Sequence, residues 1–234
     1  MIIFNGLCSY ETANIVVEKY PERTIAKRKY DVVSVPGRSG DLYFSQDAFE
    51  NVVQEYDVYI SAEREKLPAM ARKAAEWLQA DPGYHELWDS YEPEIYRMAY
   101  YCGSQNIENI FQRFGRMQLS FSCKPQRFLT SGKEEKAFTA AGVLHNPTAY
   151  NAKPEIIVYG TGSGTLTINT TTVTLAGISE YIVLDSELQD AYKGTLNENT
   201  KMTGEFPELI PGANNISWTG DITKVSIIPR WWTL

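Results

Sequence analysis

The chain has 234 residues and carries 22 lysines and arginines against 29 aspartates and glutamates, a net charge of −7 that leaves neither half basic. That balance argues against nucleic acid as the main partner. The length suits one large or two medium domains, each able to bury a proper core, and no apolar run approaches the length of a membrane span.

In chain order, the opening MIIFNGL lacks a charged leader and a long apolar region, so it reads as a first strand and not a signal peptide. Lys19, Arg23, Lys27, Arg28 and Lys29 form a basic run that Glu18 and Glu22 interrupt, which reads as a solvated strand face. The stretch VSVPGRSGDLYF, Val33 to Phe44, then sets Pro36-Gly37-Arg38-Ser39-Gly40 between two apolar runs. Proline presets φ and glycine tolerates positive φ, so this reads as a tight turn between strands, with a five-donor arginine at its tip. It lacks the parts of a phosphate loop. Neither glycine precedes Lys-Ser or Lys-Thr, and Asp41-Leu42-Tyr43-Phe44 reads as strand. The second glycine-rich run, Tyr159–Thr165, fails the same test, and it too reads as a hairpin turn.

Asp57–Ala62 reads as a strand. After it, Leu67, Met70, Ala71, Ala74, Trp77 and Leu78 recur at helical spacing, with Pro68 near the start and Asp81-Pro82-Gly83 as the stop. One amphipathic helix therefore packs on a sheet. Ile107, Ile110, Phe111 and Phe114 share helical spacing over a short segment, read as a short helix or loop. Met117–Cys123 alternates apolar and polar residues, as a half-buried strand does. Between residues 125 and 154, Pro125, Gly132, Lys133-Glu-Glu-Lys136, Gly142, Asn146-Pro147 and Lys153-Pro154 break the pattern. This places domains at 1–130 and 151–234, joined by a linker at 131–150. Beyond it come strand signals alone: 156–159, 165–169, 172–175, 181–184, 216–218 and 224–228. They point to a second β-sandwich or jelly roll and a mainly β protein.

Chemistry is sparse. The histidines, His85 and His145, lie in no metal or nucleophile motif; His85 reads as half-buried packing. Asp185 and Glu187 share a strand face, and an exposed edge explains them as well as a carboxylate pair does. Trp218, Trp231 and Trp232 read as core or interface ahead of sugar stacking. Cys8, Cys102 and Cys123, odd in number and far apart, fit buried reduced thiols in a protein folded in a cytoplasm. No catalytic residue, metal site or cofactor is assigned.

Taken together, several short motifs resemble the distal tail proteins of siphophages, the siphovirus tail component family. In the first half they are Phe4-Asn5-Gly6 with Ser9-Tyr10, Val35–Asp41, Glu76-Trp77-Leu78, Gly83-Tyr84, Leu87-Trp88-Asp89 and Phe121–Pro125. In the second they are Asn146-Pro147-Thr148, Lys153-Pro154, Phe206-Pro207, Pro211-Gly212, Asn214, Trp218-Thr219-Gly220 and Pro229-Arg230-Trp231. The resemblance implies an N-terminal β-sandwich with one packed α-helix that builds a hexameric ring, and a C-terminal galectin-like or jelly-roll sandwich. It further implies a structural, non-enzymatic virion protein, assembled in the host bacterial cytoplasm. The ring would join the tail tube protein to the tail-tip or tail-lysin protein and, in many relatives, carry receptor-binding proteins. Pro36, Gly37, Arg38, Ser39 and Gly40 are then ring-interface candidates, with Arg38 either an interface contact or a buried structural pin. The alternative is a glycan-binding β-sandwich module acting in host-surface attachment.

Overall fold

The computed structural model describes residues 1–63, 65–103, 108–110 (as backbone) and 113–234. The protein is mainly β and divides into two compact units, Met1–Arg127 with Leu234, and Phe128–Thr233.

The first unit holds β1 (Ile2–Phe4), β2 (Leu7–Cys8), a one-turn helix α1 (Ser9–Ala13), β3 (Ile15–Val17), β4 (Arg28–Val33), β5 (Leu42–Phe49) and β6 (Val52–Ser61). Helix α2 (Leu67–Gln79), β7 (His85–Asp89), β8 (Ile95–Tyr101), β9 (Glu108–Ile110) and β10 (Phe114–Leu129) follow. The sheet runs β2-β1-β7-β8-β10-β6-β3, with β9 on β10. Asn5 and Gly6, both at positive φ, form the two-residue turn that pairs Phe4 with Leu7, as an Asn-Gly hairpin should. The β6–β10 register sets Tyr56 opposite Leu119 and Val58 opposite Met117, so their buried faces coincide. Helix α2 lays Leu67, Ala74, Trp77 and Leu78 on that face, and the Trp77 indole N–H donates to the Phe4 carbonyl at 3.1 Å. The sheet also curls. The fully buried Ser9 hydroxyl accepts from the Ile2 N–H (3.4 Å) and donates to the Ile15 carbonyl (3.1 Å), tying together strands from opposite ends of the sheet. Where 107–114 was expected to form a short helix or loop, β9 pairs with the start of β10 as strand; Ile107 and Phe111 lie outside the described residues. Strand pairing overrides helical spacing in so short a segment.

The second unit corrects two readings. Residues 131–150, expected as a linker, carry β11 (Lys136–Phe138) and β12 (Gly142–Asn146), both paired with β18 (Gly212–Ile228). The prolines and glycines there shape turns inside a fold. Asn146, buried, holds its turn by donating to the Tyr150 and Leu209 carbonyls and accepting from the Thr148 N–H and hydroxyl. Second, the Tyr159–Thr165 run is no hairpin turn. It lies inside one long strand, β13 (Glu155–Ile168), beside β14 (Thr171–Asp185) and β18. Three pairs of short predicted strands are thus three long bent ones. The sheet order is β11-β18-β13-β14-β15-β16, with β12 also on β18. Here β15 is Asp190–Lys193 and β16 is Leu196–Asn197; β17 (Met202–Thr203) pairs with β14, and β19 (Trp232–Thr233) is the last strand.

At the bend, register breaks between Gly162 and Gly164 on one side of β13 and between Tyr159 and Gly164 on the other. A Cβ on Gly160 would overlap the Asp221 carbonyl oxygen, and one on Gly220 the Ser163 carbonyl. The bulge frees the Ser163 N–H, which donates to Asp221 Oδ2 at 2.9 Å. Beyond the bend the sheet packs on itself. Ile156, Val158, Ile182 and Val225 from one arm share a core with Leu166, Ile168, Val173 and Ile216 from the other. Both layers of the expected sandwich come from one sheet.

Near the end of β14, Asp185 is buried and accepts two hydrogen bonds from Arg230 (2.8 and 2.9 Å) and two from the Glu187 and Leu188 N–H groups. Arg230 also binds Glu155 at 2.7 Å. Burial opposes ionisation of Asp185, but the Arg230 and backbone hydrogen bonds outweigh it and hold the carboxyl below its ordinary value of 3.8.

Three variants have expected outcomes in denaturant unfolding. Gly160→Ala destabilises by about 1–3 kcal/mol through overlap with backbone. Gly177→Ala, at positive φ but in open space, costs about 1 kcal/mol. Arg230→Met strands Asp185 and costs about 2–4 kcal/mol near neutral pH, below the fully buried range because Arg230 is partly exposed. The Asp185 contribution is complete above the unfolded-state pKa and is lost as pH falls through the lower folded value. The gap between Arg230→Met and the parent therefore narrows below pH 3.8.

Candidate assembly interface

The stretch before β4 is fastened to the first unit by polar contacts. The Glu18 N–H donates to the Asp57 carbonyl (2.8 Å), Lys19 pairs with Asp57 (2.7 Å), and Arg116 pairs with Glu18 (2.6 Å). The hydrogen bond and charge of Lys19 lower the Asp57 pKa. Tyr20 packs edge-on to Tyr91 at 4.9 Å, and Arg23 donates to the Tyr20 hydroxyl. Arg28 lies over the Phe49 ring at 4.8 Å, and the Glu50 N–H donates to the Lys27 carbonyl. The basic run is thus largely engaged within the chain.

From this base β4 and β5 leave as a separate two-stranded ribbon. Its register pairs Val32 with Tyr43 and Tyr30 with Ser45 on one face, and Val33 with Leu42 and Asp31 with Phe44 on the other. Both faces carry large apolar side chains in solvent: Val32 is 52% exposed, Tyr43 56% and Phe44 54%. The ring of Tyr30 rests on that of Tyr43 at 4.9 Å, and Gln46 donates to Asp31. No residue of β4 is buried. The tip is a type II turn. The Arg38 N–H donates to the Val35 carbonyl at 3.1 Å, with Pro36 at the second position and Gly37, φ +81°, at the third. Gly40, at φ +85°, turns the chain back toward β5. Arg38 is exposed, and its side chain has no hydrogen-bond or ion-pair partner among the described residues, so within one chain it pins nothing.

The structure brings Pro36, Gly37, Arg38, Ser39 and Gly40 together as the tip. It adds residues that the sequence reading passed over, namely Tyr30, Val32, Val33, Tyr43 and Phe44. Their signal was legible: adjacent apolar pairs, Val32-Val33 and Tyr43-Phe44, give a strand two apolar faces, as in a strand covered on both sides.

Other singled-out residues are structural. His85 is half-buried, its Nε2 3.1 Å from the Asp81 carbonyl and its ring edge-on to Phe4. His145, placed in the linker by sequence, lies exposed on β12. Asp185 is ion-paired in the second unit and not on an exposed edge, while Glu187 is exposed. Trp231 is core, and Trp232 stacks on Tyr150 at 4.4 Å. Among the thiols Cys123 is buried, and burial pushes it up to about 12; Cys8 is half-buried, and Cys102 is exposed, contrary to expectation. Among the described residues no cluster of three or more His, Cys, Asp or Glu could hold a metal, and no helix is long and apolar enough to cross a membrane.

No protein-family profile and no curated protein sequence matches the chain. Solved structures do. The Dit protein of phage SPP1, described as a paradigm of the hub adsorption apparatus in phages infecting Gram-positive bacteria, aligns with a TM-score of 0.77 at 13% identity. The match covers 100% of this chain and 98% of that one. The chain has the fold of a phage hub protein. A chain of the phage P2 baseplate, in its activated conformation with calcium, gives 0.54 at 9% identity over 97% of this chain and 95% of its own. Its strontium form gives 0.52 at 8% over 92% and 91%. The matched region covers both units.

Limited trypsin digestion of the chain, read by mass spectrometry, is expected to cut first after Arg38, since a lone two-stranded ribbon is marginally stable and exposed. Lys133 and Lys136, within the second unit, should be cut later. First cuts at those lysines would mean the ribbon is covered.

Proposed function

We propose that this chain is a siphophage distal tail protein, a structural and non-enzymatic component of the virion tail assembled in the cytoplasm of the host bacterium. Six copies close into a ring that joins the tail tube protein to the tail-tip or tail-lysin protein, and receptor-binding proteins attach to this hub. The observation that carries the reading is the β4–β5 ribbon, apolar on both faces and exposed, on a chain that shares the hub fold from end to end.

A ring needs a head-to-tail contact in which one surface of a copy meets a different surface of the next. A ribbon fastened at its base and bare along both faces supplies such a surface. Covering Val32, Tyr43 and Phe44 would stabilise association by about 1.5–3 kcal/mol for each side chain fully buried. The Pro36-Gly37 turn stiffens the tip and reduces the entropy lost on docking. Arg38 offers its donors to an acceptor on the neighbouring copy.

Sedimentation velocity across a concentration series, with and without the tail-tip protein, tests this. Assembly into a species of six copies is expected. Val32→Asp/Tyr43→Asp should abolish it with an unchanged unfolding midpoint, and Arg38→Ala should weaken it by about 1–3 kcal/mol. A chain that stays monomeric even with its partner, or a double variant that assembles like the parent, overturns the proposal. The first of these outcomes, joined to sugar affinity, would favour the glycan-binding module.

A further inference from the structure

A head-to-tail contact joins two different surfaces, and the ribbon supplies one of them. The first unit shows another exposed apolar group on the face of its sheet turned away from the core. It consists of Val53 on β6, Tyr100 on β8 and Tyr84 just before β7. We propose that this patch receives, from the next copy, the face of the ribbon that carries Tyr30, Val32 and Tyr43. The inference rests on the assembly reading above and names the receiving surface, which that reading leaves open.

The patch is tied together before anything docks on it. The Tyr84 and Tyr100 rings meet edge to face at 5.2 Å. Asn51 donates to the Tyr84 hydroxyl at 2.6 Å and to the buried Ser122 hydroxyl at 3.1 Å. Ser122 lies opposite Val53 in the β6–β10 register, so side chains from separate strands form one surface. The Lys124 ammonium sits 5.4 Å from the centre of the Tyr84 ring and sets a positive charge beside it. The ribbon face is preformed too, with Tyr30 resting on Tyr43 at 4.9 Å. Two fixed surfaces lose little side-chain entropy when they meet.

Shape and charge both select this pairing. The ribbon is one strand spacing wide, about 5 Å, and the patch from β6 across β10 to β8 is two, about 10 Å, so the narrower lies across the broader. Tyrosines on both sides bury large rings and keep their hydroxyls for water or the rim. Asp41, two residues before Tyr43 and on its side of an extended chain, is exposed and has no hydrogen-bond or ion-pair partner among the described residues. Lys124 likewise has no ion-pair partner among them. Each supplies the counter-charge that the other lacks. Leu7 and Tyr10 are exposed as well, but they adjoin Glu11, a carboxylate that repels Asp41.

The exposed Cys102, two residues after Tyr100, reports on the patch from within. Labelling of the full chain with N-ethylmaleimide, mapped to Cys102 by mass spectrometry, is expected to slow about tenfold or more in the assembled species relative to the dilute chain, because docking excludes the reagent. In sedimentation, Asp41→Lys and Lys124→Glu should each weaken assembly about tenfold or more with an unchanged unfolding midpoint. The double variant Asp41→Lys/Lys124→Glu should recover it to within about threefold of the parent, since the pair is restored with its charges exchanged. A parent that assembles while Cys102 reacts at the free-chain rate overturns the proposal and leaves the ring standing. So do single variants that assemble like the parent, or a double variant no better than either single. A parent that does not assemble even with the tail-tip protein overturns the ring reading, and this inference falls with it.

Discussion

Close approach of backbone to backbone at the Gly160–Gly164 bend organises the second unit. Strands of 14 to 17 residues are too long to remain one flat, half-exposed layer, and a sheet that stays flat has nothing to bury its apolar face against. Bending lets a single sheet supply both layers. Side chains are excluded where the Asp221 and Ser163 carbonyls come against Gly160 and Gly220. The cost of a bulge is an orphaned N–H, and Asp221 satisfies it at Ser163. Ile156 and Leu166, on one strand but on opposite arms of the bend, thereby enter the same core.

The first unit meets the same problem with different means. Its sheet curls around helix α2, and buried polar nodes hold the curl where ladder hydrogen bonds stop. Ser9 ties β1 to β3. Asp89, buried, accepts from the Tyr56 hydroxyl at 2.7 Å and from the Tyr91 and Glu92 N–H groups. Asn146 and Asn214 do equivalent work in the second unit. Several of the short motifs behind the family resemblance fall on these nodes. Such residues tolerate little substitution, because replacing one leaves several buried partners unpaired at once.

Against these packed cores, the β4–β5 ribbon stands out by what it lacks. It has the composition of a strand pair covered on both faces, and a position at which the chain covers neither. A chain that exposes Tyr30, Val32, Tyr43 and Phe44 together carries a large apolar surface outside any core. In the ring proposed above, a neighbouring copy is what would cover it, which links the local anomaly to the function proposed for the whole chain.

The sequence by itself determined the local elements whose cause is local. Pro36-Gly37 dictates a type II turn, Asn5-Gly6 a hairpin, the Leu67–Leu78 spacing helix α2, and the Met117–Cys123 alternation a half-buried strand. In each case the residue's own φ preference or the period of its apolar face decides. Its short motifs also carried the resemblance to distal tail proteins, whose hub fold the structure reproduces. Tertiary structure alone decided the rest. Glycines that permit a turn also permit a bend inside a strand. Whether Tyr159–Thr165 reverses or continues depended on Asp221, about sixty residues away, arriving to pack against it. Residues 131–150 looked like a linker because turn residues are dense there, and they hold two strands because β18 offered both halves of its edge for pairing. For Arg38, a φ-encoded turn says where the side chain is mounted; that it meets no acceptor among the described residues is a property of the folded surface.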